Sequence, residues 1–437
     1  MLDKFQFFKN PVPLENQKLI FPARFYWGSS TSAHQVEGNN HNDWTEWEKE
    51  NAERLAKEAK KKFGYLQNWP EIKEQAQNPQ NYISGRACDH YNRYKEDFDI
   101  AKSLGHNAHR FSIEWSRIEQ EEGKFNEKEI EHYRQVIKAL RERGLEPFVT
   151  LWHWPVPLWL KNKGGVKSKK FPLYFSNYAK KIVFELRNDV NFWITLNEPE
   201  IYASLSYLTG VWPPQRKNLF SYLRVIKNLI KAHKQIYKII KKIQLDAQVG
   251  IAKNNVYFEA YQNKLINRLL KKIIDWWWNF YFLNRIKKYH DFIGLNHYFY
   301  NLIKNFKFNQ NENREVSDLG WEIYPEGIYF VLKDLRKYSK PIYIMENGLA
   351  DAKDENREWF IKESLKNIHR AIQESVDVRG YFYWSLFDNF EWDKGFWPRF
   401  GLVEIDYSAK GGSASGGKTM KRKIRKSALE YAKIIKK

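Results

Sequence analysis

Short apolar or aromatic runs alternate with longer amphipathic segments along most of the chain. The short runs have the length and composition of buried strands and occur eight times, at residues 25–30, 108–113, 146–151, 192–196, 248–252, 291–295, 341–345 and 380–385. The amphipathic segments predict helices at residues 91–104, 127–143, 175–186, 219–243, 325–338 and 358–375. Strands alternating with helices are typical of a parallel sheet, and eight such units are the number that closes an α/β barrel.

Two segments interrupt this pattern. Residues 273–286 (IIDWWWNFYFLNRI) are strongly aromatic but too short to span a bilayer. We predict a helix that packs its rings onto the barrel, and a surface-active patch is the alternative. Residues 408–417 (SAKGGSASGG) have the composition of a flexible linker and indicate an inserted loop.

Composition narrows the class of protein. Of 437 residues, 43% are hydrophobic and 29% are charged, which is typical of a globular protein and argues against disorder. The one cysteine, Cys88, excludes an internal disulfide framework and a zinc site built from several thiolates. Residues 1–13 carry scattered charges and no long apolar run, so we expect no secretory signal and a cytoplasmic location.

The charge balance is strongly basic. Seventy-three Lys and Arg against 52 Asp and Glu give a net charge of +21, which could attract nucleic acid or an anionic membrane. The excess is spread along helical stretches such as residues 227–242, with a denser run at 418–426. We interpret it as a solvated surface, since no common nucleic-acid motif is present. We therefore expect neither a nucleic-acid nor a membrane partner, and the oligomeric state stays open.

Polar side chains follow nearly every predicted strand at the point where it ends. In a parallel barrel these ends converge on one mouth, so residues distant in sequence can meet there. Two carboxylates among amides and aromatic rings are what glycoside hydrolysis requires, one as an acid and the other as a nucleophile or base. The residues in question are Gln35, Arg110, His153, Trp154, Asn197, Glu198, Asn296, Tyr298, Glu346 and the segment 384–392.

Seven stretches in chain order resemble glycoside hydrolase family 1, the β-glucosidase and β-galactosidase group. They are FYWGSSTSAHQVEG (25–38), DHYNRYKEDFDIAKSLG (89–105), HRFSIEWSRI (109–118), WITLNEPE (193–200), DFIGLNHY (291–298), IYIMENGLAD (342–351) and YWSLFDNFEW (383–392). The resemblance implies a single (β/α)8 barrel over residues 1–437. It also implies a retaining β-glycosidase, principally a β-glucosidase, with β-galactosidase and β-fucosidase as side activities.

The resemblance assigns the nucleophile to Glu346, in the Glu-Asn-Gly motif. A nucleophile must stay ionised, which requires a nearby cation and a hydrogen-bond donor. Arg110 and Tyr298 are the candidates for these supporting roles.

The acid/base is assigned by the resemblance to Glu198, in the Asn-Glu-Pro motif. The acid must hold its proton near neutral pH, so it needs a drier environment, which Trp154 and Trp321 could supply. Once glycosylation neutralises Glu346, the same group can act as a base towards water. A separation of about 5–5.5 Å between the carboxyl groups would give retention.

The resemblance also places substrate contacts. Asn197 is expected at the sugar's 2-hydroxyl, and Trp321 is expected under the leaving group. Phe400 is left undecided between the site and the core. A carboxylate at Glu391 would repel a phosphorylated sugar and accept hydrogen bonds from hydroxyls, so we favour an unphosphorylated one. The full substrate-binding set is Gln35, His153, Trp154, Asn197, Asn296, Tyr298, Trp321, Trp384, Glu391 and Trp392.

Departures from the family pattern leave alternatives open. The stretch 252–291 is shorter than usual, which puts the leaving-group preference in doubt. Residues 412–419 (GSASGGKT) satisfy a phosphate-loop pattern, but Lys418 and Thr419 already fit the glycosidase pattern, so we interpret it as coincidence. We expect no cofactor and no metal. The rival functions are a catalytically silent carbohydrate-binding barrel and a nucleotide- or nucleic-acid-binding protein.

Overall fold

A computed structural model describes residues 19–407 and 419–436 of the chain. The predicted inserted loop at 408–417 lies outside the described residues. So does the phosphate-loop pattern, apart from Thr419.

Eight parallel strands form a closed barrel, which confirms the predicted fold class. Around the barrel the order is β1-β2-β3-β4-β5-β7-β9-β10, and β10 pairs with β1. The remaining strands form two small sheets, β6 with β8 and β11 with β12. In chain order the strands are β1 Tyr26–Ser30, β2 Ala108–Ser112, β3 Glu146–Thr150, β4 Phe192–Asn197, β5 Gln248–Asn254, β6 Tyr257–Ala260, β7 Ile293–Asn296, β8 Tyr300–Ile303, β9 Ile342–Asn347, β10 Val378–Trp384, β11 Val403–Ile405 and β12 Arg422–Ile424.

Helices connect the barrel strands, as the alternating pattern predicts. The helices are α1 Ala33–Val36, α2 Asp43–Phe63, α3 Trp69–Ala76, α4 His90–Ser103, α5 Trp115–Ile118, α6 Glu127–Glu142, α7 Leu158–Asn162, α8 Phe171–Leu186, α9 Pro199–Ala203, α10 Leu219–Ile243, α11 Leu265–Asp275, α12 Tyr281–Ile286, α13 Gly327–Leu335, α14 Arg357–Gln373 and α15 Lys426–Ile435. Short π-helical turns follow α9 and α11.

All eight predicted strands are present, and the differences lie at boundaries and in one long helix. Strand β5 runs two residues further than predicted, to Asn254. Helix α8 begins ahead of its prediction because Pro172 fits the first turn, where no backbone N–H is needed. Helix α2 is missing from the prediction although its start carries a capping box. There Asn42 accepts from the Thr45 N–H, and the Thr45 hydroxyl accepts from the Asn42 N–H.

A mostly aromatic cluster of side chains fills part of the barrel interior. Its members lie in, or directly beside, each of the eight barrel strands. Phe148 and Phe192 stack with ring centroids 4.1 Å apart. The cluster consists of Tyr26, Ala108, Phe148, Phe192, Ile194, Ala252, Phe292, Tyr343, Met345 and Phe382. A side chain at Gly250 would place its Cβ 2.3 Å from the Phe292 ring, so glycine makes room for the packing. This layer forms a solid floor beneath the strand ends.

The aromatic segment 273–286 is helical, as predicted, but its rings do not all pack inward. It comprises the end of α11, a π-helical turn at Trp276–Phe280, and α12. Trp277 and Trp278 pack against the core, whereas Trp276 is 50% exposed. Within the described ranges, we find no helix with the length and apolar character needed to cross a bilayer.

The aromatic floor should contribute strongly to stability. We expect Phe148→Ala to lower the free energy of unfolding by about 3–5 kcal/mol, because it leaves a cavity among rigid rings. The measurement is the midpoint of reversible urea unfolding followed by fluorescence. Phe184→Ala is the matched control, since Phe184 is 52% exposed and its removal should change stability by about 0.5 kcal/mol or less. Equal losses in both variants would contradict the assigned role of the floor.

Candidate active site

The predicted site residues come together at the carboxyl ends of the barrel strands. Asn197 ends β4 and Asn296 ends β7. Asn296 is in register with Glu346, the penultimate residue of β9. Arg110 lies in β2, opposite the last residue of β1. Parallel pairing therefore brings two amides, a guanidinium and a carboxylate to one mouth from four different strands.

Glu346 is held by a cation on one side and a hydroxyl on the other. The Arg110 guanidinium forms an ion pair with its Oε1, and the Tyr298 hydroxyl donates to its Oε2 over 2.6 Å. Burial and the charge of Glu346 raise the pKa of Tyr298 well above its usual value, so that hydroxyl keeps the proton it donates. Both partners stabilise a negative charge and fix where the carboxylate points.

Arg110 also binds the neighbouring strands. Its guanidinium is fully buried, donating to Asn197 Oδ1 over 2.7 Å and to Thr150 Oγ1 over 3.1 Å. The planar fork thus reaches three separate groups from three different nitrogens, whereas a lysine would present all its donors at a single nitrogen. The contact links Glu346 on β9 to Asn197 on β4.

Glu198 occupies a different environment. Its Oε1 accepts hydrogen bonds from the amides of Asn296, at 2.9 Å, and Asn254, at 3.2 Å. Burial, followed by the negative charge of Glu346, raises its pKa to about 8. The group is therefore mainly protonated at neutral pH, and its other oxygen remains available to carry the proton. The proton on Glu198 contrasts with the contacts of Glu346, where Arg110 and Tyr298 stabilise a negative charge.

The hydrogen-bond partners of Glu198 are amides, and the contribution of Trp154 and Trp321 to its dry environment remains a prediction. The Trp154 indole donates to the Asn197 carbonyl over 2.9 Å. Trp321 instead lies beside Tyr298, with ring centroids 6.1 Å apart. Trp154 and Trp321 therefore contact Asn197 and Tyr298 rather than the Glu198 carboxyl group.

Asn254 is a site residue that the sequence analysis missed. It is the last residue of β5, and its amide also accepts a hydrogen bond from the Trp278 indole over 3.3 Å. The rule that polar residues end the barrel strands would have found it, but the predicted strand stops at residue 252. Asn254 was therefore missed because the end of β5 was predicted two residues too early.

The predicted sugar-binding residues around Gln35 are connected by hydrogen bonds. The Gln35 amide donates to Asn389 Oδ1 over 3.0 Å, to the Phe390 carbonyl over 2.8 Å and to Glu391 Oε2 over 3.5 Å. Burial raises the pKa of Glu391 to about 7, although the nearby Lys394 opposes the shift. This carboxyl group is poised to accept or donate towards hydroxyl groups.

His153 connects the amides to the aromatic wall. Its Nε2 accepts from the Asn197 amide over 3.0 Å, which places the imidazole proton on Nδ1. Burial and the Arg110 charge keep its pKa well below the usual value, so the ring is neutral. Nδ1 has no partner among the described residues and is buried. The ring stacks near Trp384 and Trp392, with centroids 6.1 Å away in each case.

A second aromatic group lies beside the nucleophile candidate. Phe400, which the sequence left undecided, is buried with its ring centroid 6.3 Å from that of Tyr298 and 6.4 Å from that of Trp321. It therefore packs behind the residues that line the site. Every substrate-binding residue predicted from the sequence contacts at least one other member of the set, while the individual roles stay predictions.

Three site residues have positive φ angles, which residues other than glycine seldom adopt. Trp154, Glu198 and Trp392 have φ values of 90°, 40° and 49°. Such strain persists only where the surrounding structure imposes it, and it is concentrated at functional sites. All three side chains are buried.

Across residues 19–407 and 419–436, no group of three or more His, Cys, Asp or Glu side chains is placed to hold an ion. The expectation of a site without metal or cofactor stays a prediction.

Comparison with known proteins places this arrangement in a family. The model of the family described as Glycosyl hydrolase family 1 matches residues 17–284 and 267–437. Beta-glucosidase A of Thermotoga maritima is 34% identical, covering 95% of this chain and 98% of that protein, and Beta-glucosidase A of Acetivibrio thermocellus is 33% identical, covering 96% and 99%. The solved beta-glycosidase from Pyrococcus horikoshii superposes with a TM-score of 0.82 at 37% identity, covering 96% of this chain and 95% of that one. The chain therefore belongs to glycosyl hydrolase family 1.

Proposed function

We propose that this glycosidase hydrolyses terminal β-linked glucosides with retention, using Glu346 as the nucleophile and Glu198 as the acid/base. The observation that carries the proposal is the contrast between two buried glutamates. One is paired with Arg110 and Tyr298, while burial raises the pKa of the other to about 8. That division of roles is what a double displacement requires.

In the first step, the Glu346 carboxylate attacks the anomeric carbon as the bond to the leaving oxygen breaks. Glu198 gives its proton to that oxygen, so the aglycone departs as a neutral alcohol. The product is a covalent glycosyl ester on Glu346 with an inverted anomeric centre. Tyr298 and Arg110 keep the attacking oxygen oriented.

In the second step, Glu198 acts as the base. Because the ester has removed the charge of Glu346, one of the two causes of the raised pKa of Glu198 is gone. The Glu198 carboxylate takes a proton from water while the water oxygen attacks the anomeric carbon. A second inversion releases the sugar with its original configuration and restores both glutamates.

The sugar preference rests on the group around Gln35 and Glu391. A carboxyl group there can exchange hydrogen bonds with hydroxyls but repels a phosphate, which favours an unphosphorylated sugar. We propose glucosides as the main substrates, in keeping with the names of the two relatives above, and galactosides and fucosides as side substrates.

We also propose that residues 1–437 form one catalytic barrel and that residues 408–417 are an insertion in it. The cytoplasmic location and the independence from cofactor and metal remain predictions from the sequence.

The role of Glu346 is tested by Glu346→Gly assayed on an activated aryl β-glucoside. We expect kcat/KM to fall by about 10⁴-fold or more, because the covalent intermediate cannot form. Added azide should enter the vacated space and give the α-glucosyl azide, detected by NMR, whereas wild type gives the β-sugar as its first product. A panel of glucoside, galactoside and fucoside on wild type ranks the sugars.

The control is Glu119→Gln, which alters another buried glutamate, bonded to Trp115 and outside the site. It should keep activity within a few fold and show no response to azide. Substantial activity of folded Glu346→Gly without azide, or a β-glucosyl azide product, would contradict the assignment.

The pH profile tests Glu198. The acid works only in its protonated form, so kcat/KM should fall tenfold per pH unit above about 8. For a glucoside whose leaving group needs no proton, Glu198→Gln should keep the first step nearly intact and remove this alkaline limb. Pre-steady-state release of the leaving group measures that step.

Glu119→Gln again serves as the control and should retain the alkaline limb. If the limb stays at the same pH in Glu198→Gln, another group causes it and the assigned role is wrong.

A further inference from the structure

Helix α11 carries two apolar faces, although only one of them packs against the protein. Leu270 and Ile274 on α11, with Trp278 just beyond it, pack against the small β6–β8 sheet. The other face consists of Leu265, Ile266, Leu269, Ile273 and Trp276, which we call the α11 apolar face. Leu265 is 70% exposed and Ile273 is 65% exposed, so this face is open to solvent. A soluble surface helix has no need of such a second face.

The α11 apolar face continues into a groove on a neighbouring helix pair. The ring of Trp276 lies 5.5 Å from that of Tyr281. Tyr281 in turn lines a groove of about 650 Å³ between α10 and α12, together with Leu223 and Ile230. We call this the α10–α12 groove. Phe220, one turn before Leu223, is 82% exposed and extends the apolar area.

The same surface is strongly basic. Five cations line the α10–α12 groove and no acidic residue does; they are Lys227, Lys231, Lys234, Lys238 and Arg285. Helix α10 has seven Lys and Arg in 25 residues and no Asp or Glu. On α11, the lone acid, Asp275, pairs with Lys271 at 3.6 Å, while Arg268 and Lys272 add further positive charge.

We propose that the α11 apolar face and the α10–α12 groove dock on the surface of an anionic phospholipid membrane. An amphipathic helix with leucine, isoleucine and tryptophan on one face and lysine or arginine alongside is suited to lie in the membrane interface. Its apolar side chains enter the acyl boundary while the lysines contact the headgroups of anionic lipids, which are enriched on the cytoplasmic leaflet. From the sequence we expect no membrane partner. The docking surface instead agrees with the alternative given there for residues 273–286, a surface-active patch.

A second copy of the chain fits this surface less well than a lipid phosphate does. A symmetric dimer brings the same patch of each copy together. The lysines and arginines of the groove would then face like charges, with no acidic residue in its lining to compensate. An anionic surface instead matches both the apolar and the basic part.

The surface lies next to the candidate active site. Trp278, two residues beyond Trp276, donates to Asn254, and Asn254 donates to Glu198. The end of α11 is thus connected by hydrogen bonds to the candidate active site. The hydrogen-bonded chain does not itself form part of the docking face.

The test is co-sedimentation of the full chain with phospholipid vesicles. We expect binding to vesicles of equal parts phosphatidylglycerol and phosphatidylcholine, little binding to phosphatidylcholine alone, and at least a tenfold weakening between about 0.05 M and about 0.5 M salt. Leu269→Ser/Ile273→Ser/Trp276→Ser should weaken binding at least tenfold. Activity on a small aryl glycoside should be unchanged, since these residues lie outside the site.

Matched variants separate this surface from general stickiness. Leu173→Ser/Phe184→Ser/Leu429→Ser removes hydrophobic side chains of similar exposure on α8 and α15, and it should bind as the parent does. Lys231→Glu/Lys234→Glu should weaken binding and reduce its salt dependence. Lys128→Glu/Lys423→Glu, with the same change in net charge, should not.

Three outcomes would overturn the proposal. The first is failure of the full chain to bind anionic vesicles at low salt. The second is equal binding by the α11 triple variant and its control. The third is a dimer by light scattering that the α11 triple variant alone converts to monomer, without vesicle binding by either form.

Discussion

The candidate active site depends on one buried guanidinium. Arg110 is fully excluded from solvent and holds Glu346 on β9 and Asn197 on β4 together. An uncompensated charge in this position would cost several kcal/mol, so the ion pair and its additional hydrogen bonds are required by the burial itself. The barrel makes the arrangement possible because each partner comes from the end of a different strand, fixed in register by backbone pairing.

This pairing also explains why two chemically identical side chains differ. The carboxylate beside Arg110 and Tyr298 is stabilised as an anion. Its charge then joins burial in keeping the proton on Glu198, whose pKa is raised to about 8. In the proposed mechanism the acid is thus defined partly by the nucleophile, and loss of the charge of Glu346 on glycosylation would let Glu198 act as a base. The two roles follow from a single electrostatic coupling.

Much of the fold and the site could be predicted from the sequence because both follow simple periodic rules. Buried strands are visible in the sequence as apolar runs, and the polar residues that follow them converge at one end of a barrel. The predictions that were wrong also have physical causes. Strand β5 ends in Lys253 and Asn254, whose polarity masks its continuation, so a partner of Glu198 was missed.

Other features depend on tertiary contacts that a linear pattern does not encode. The proton position on His153 is set by Asn197, a residue 44 positions away. The amides that hydrogen-bond to Glu198 are brought together by the pairing of β5 with β7. The aromatic segment at 273–286 was predicted as a helix, but which of its rings face solvent depends on the sheet it packs against.

The central claim is that Glu346 attacks the sugar while Glu198 carries the proton. The most direct measurement is peptide mapping by mass spectrometry after incubation with 2-deoxy-2-fluoro-β-glucosyl fluoride, whose fluorine at the 2-position slows release of a covalent intermediate. We expect one fluoroglucosyl group per chain, attached to Glu346 and lost on reactivation with a glucoside acceptor. Attachment to Glu198, or turnover of ordinary glucosides with no covalent adduct on any residue, would contradict it.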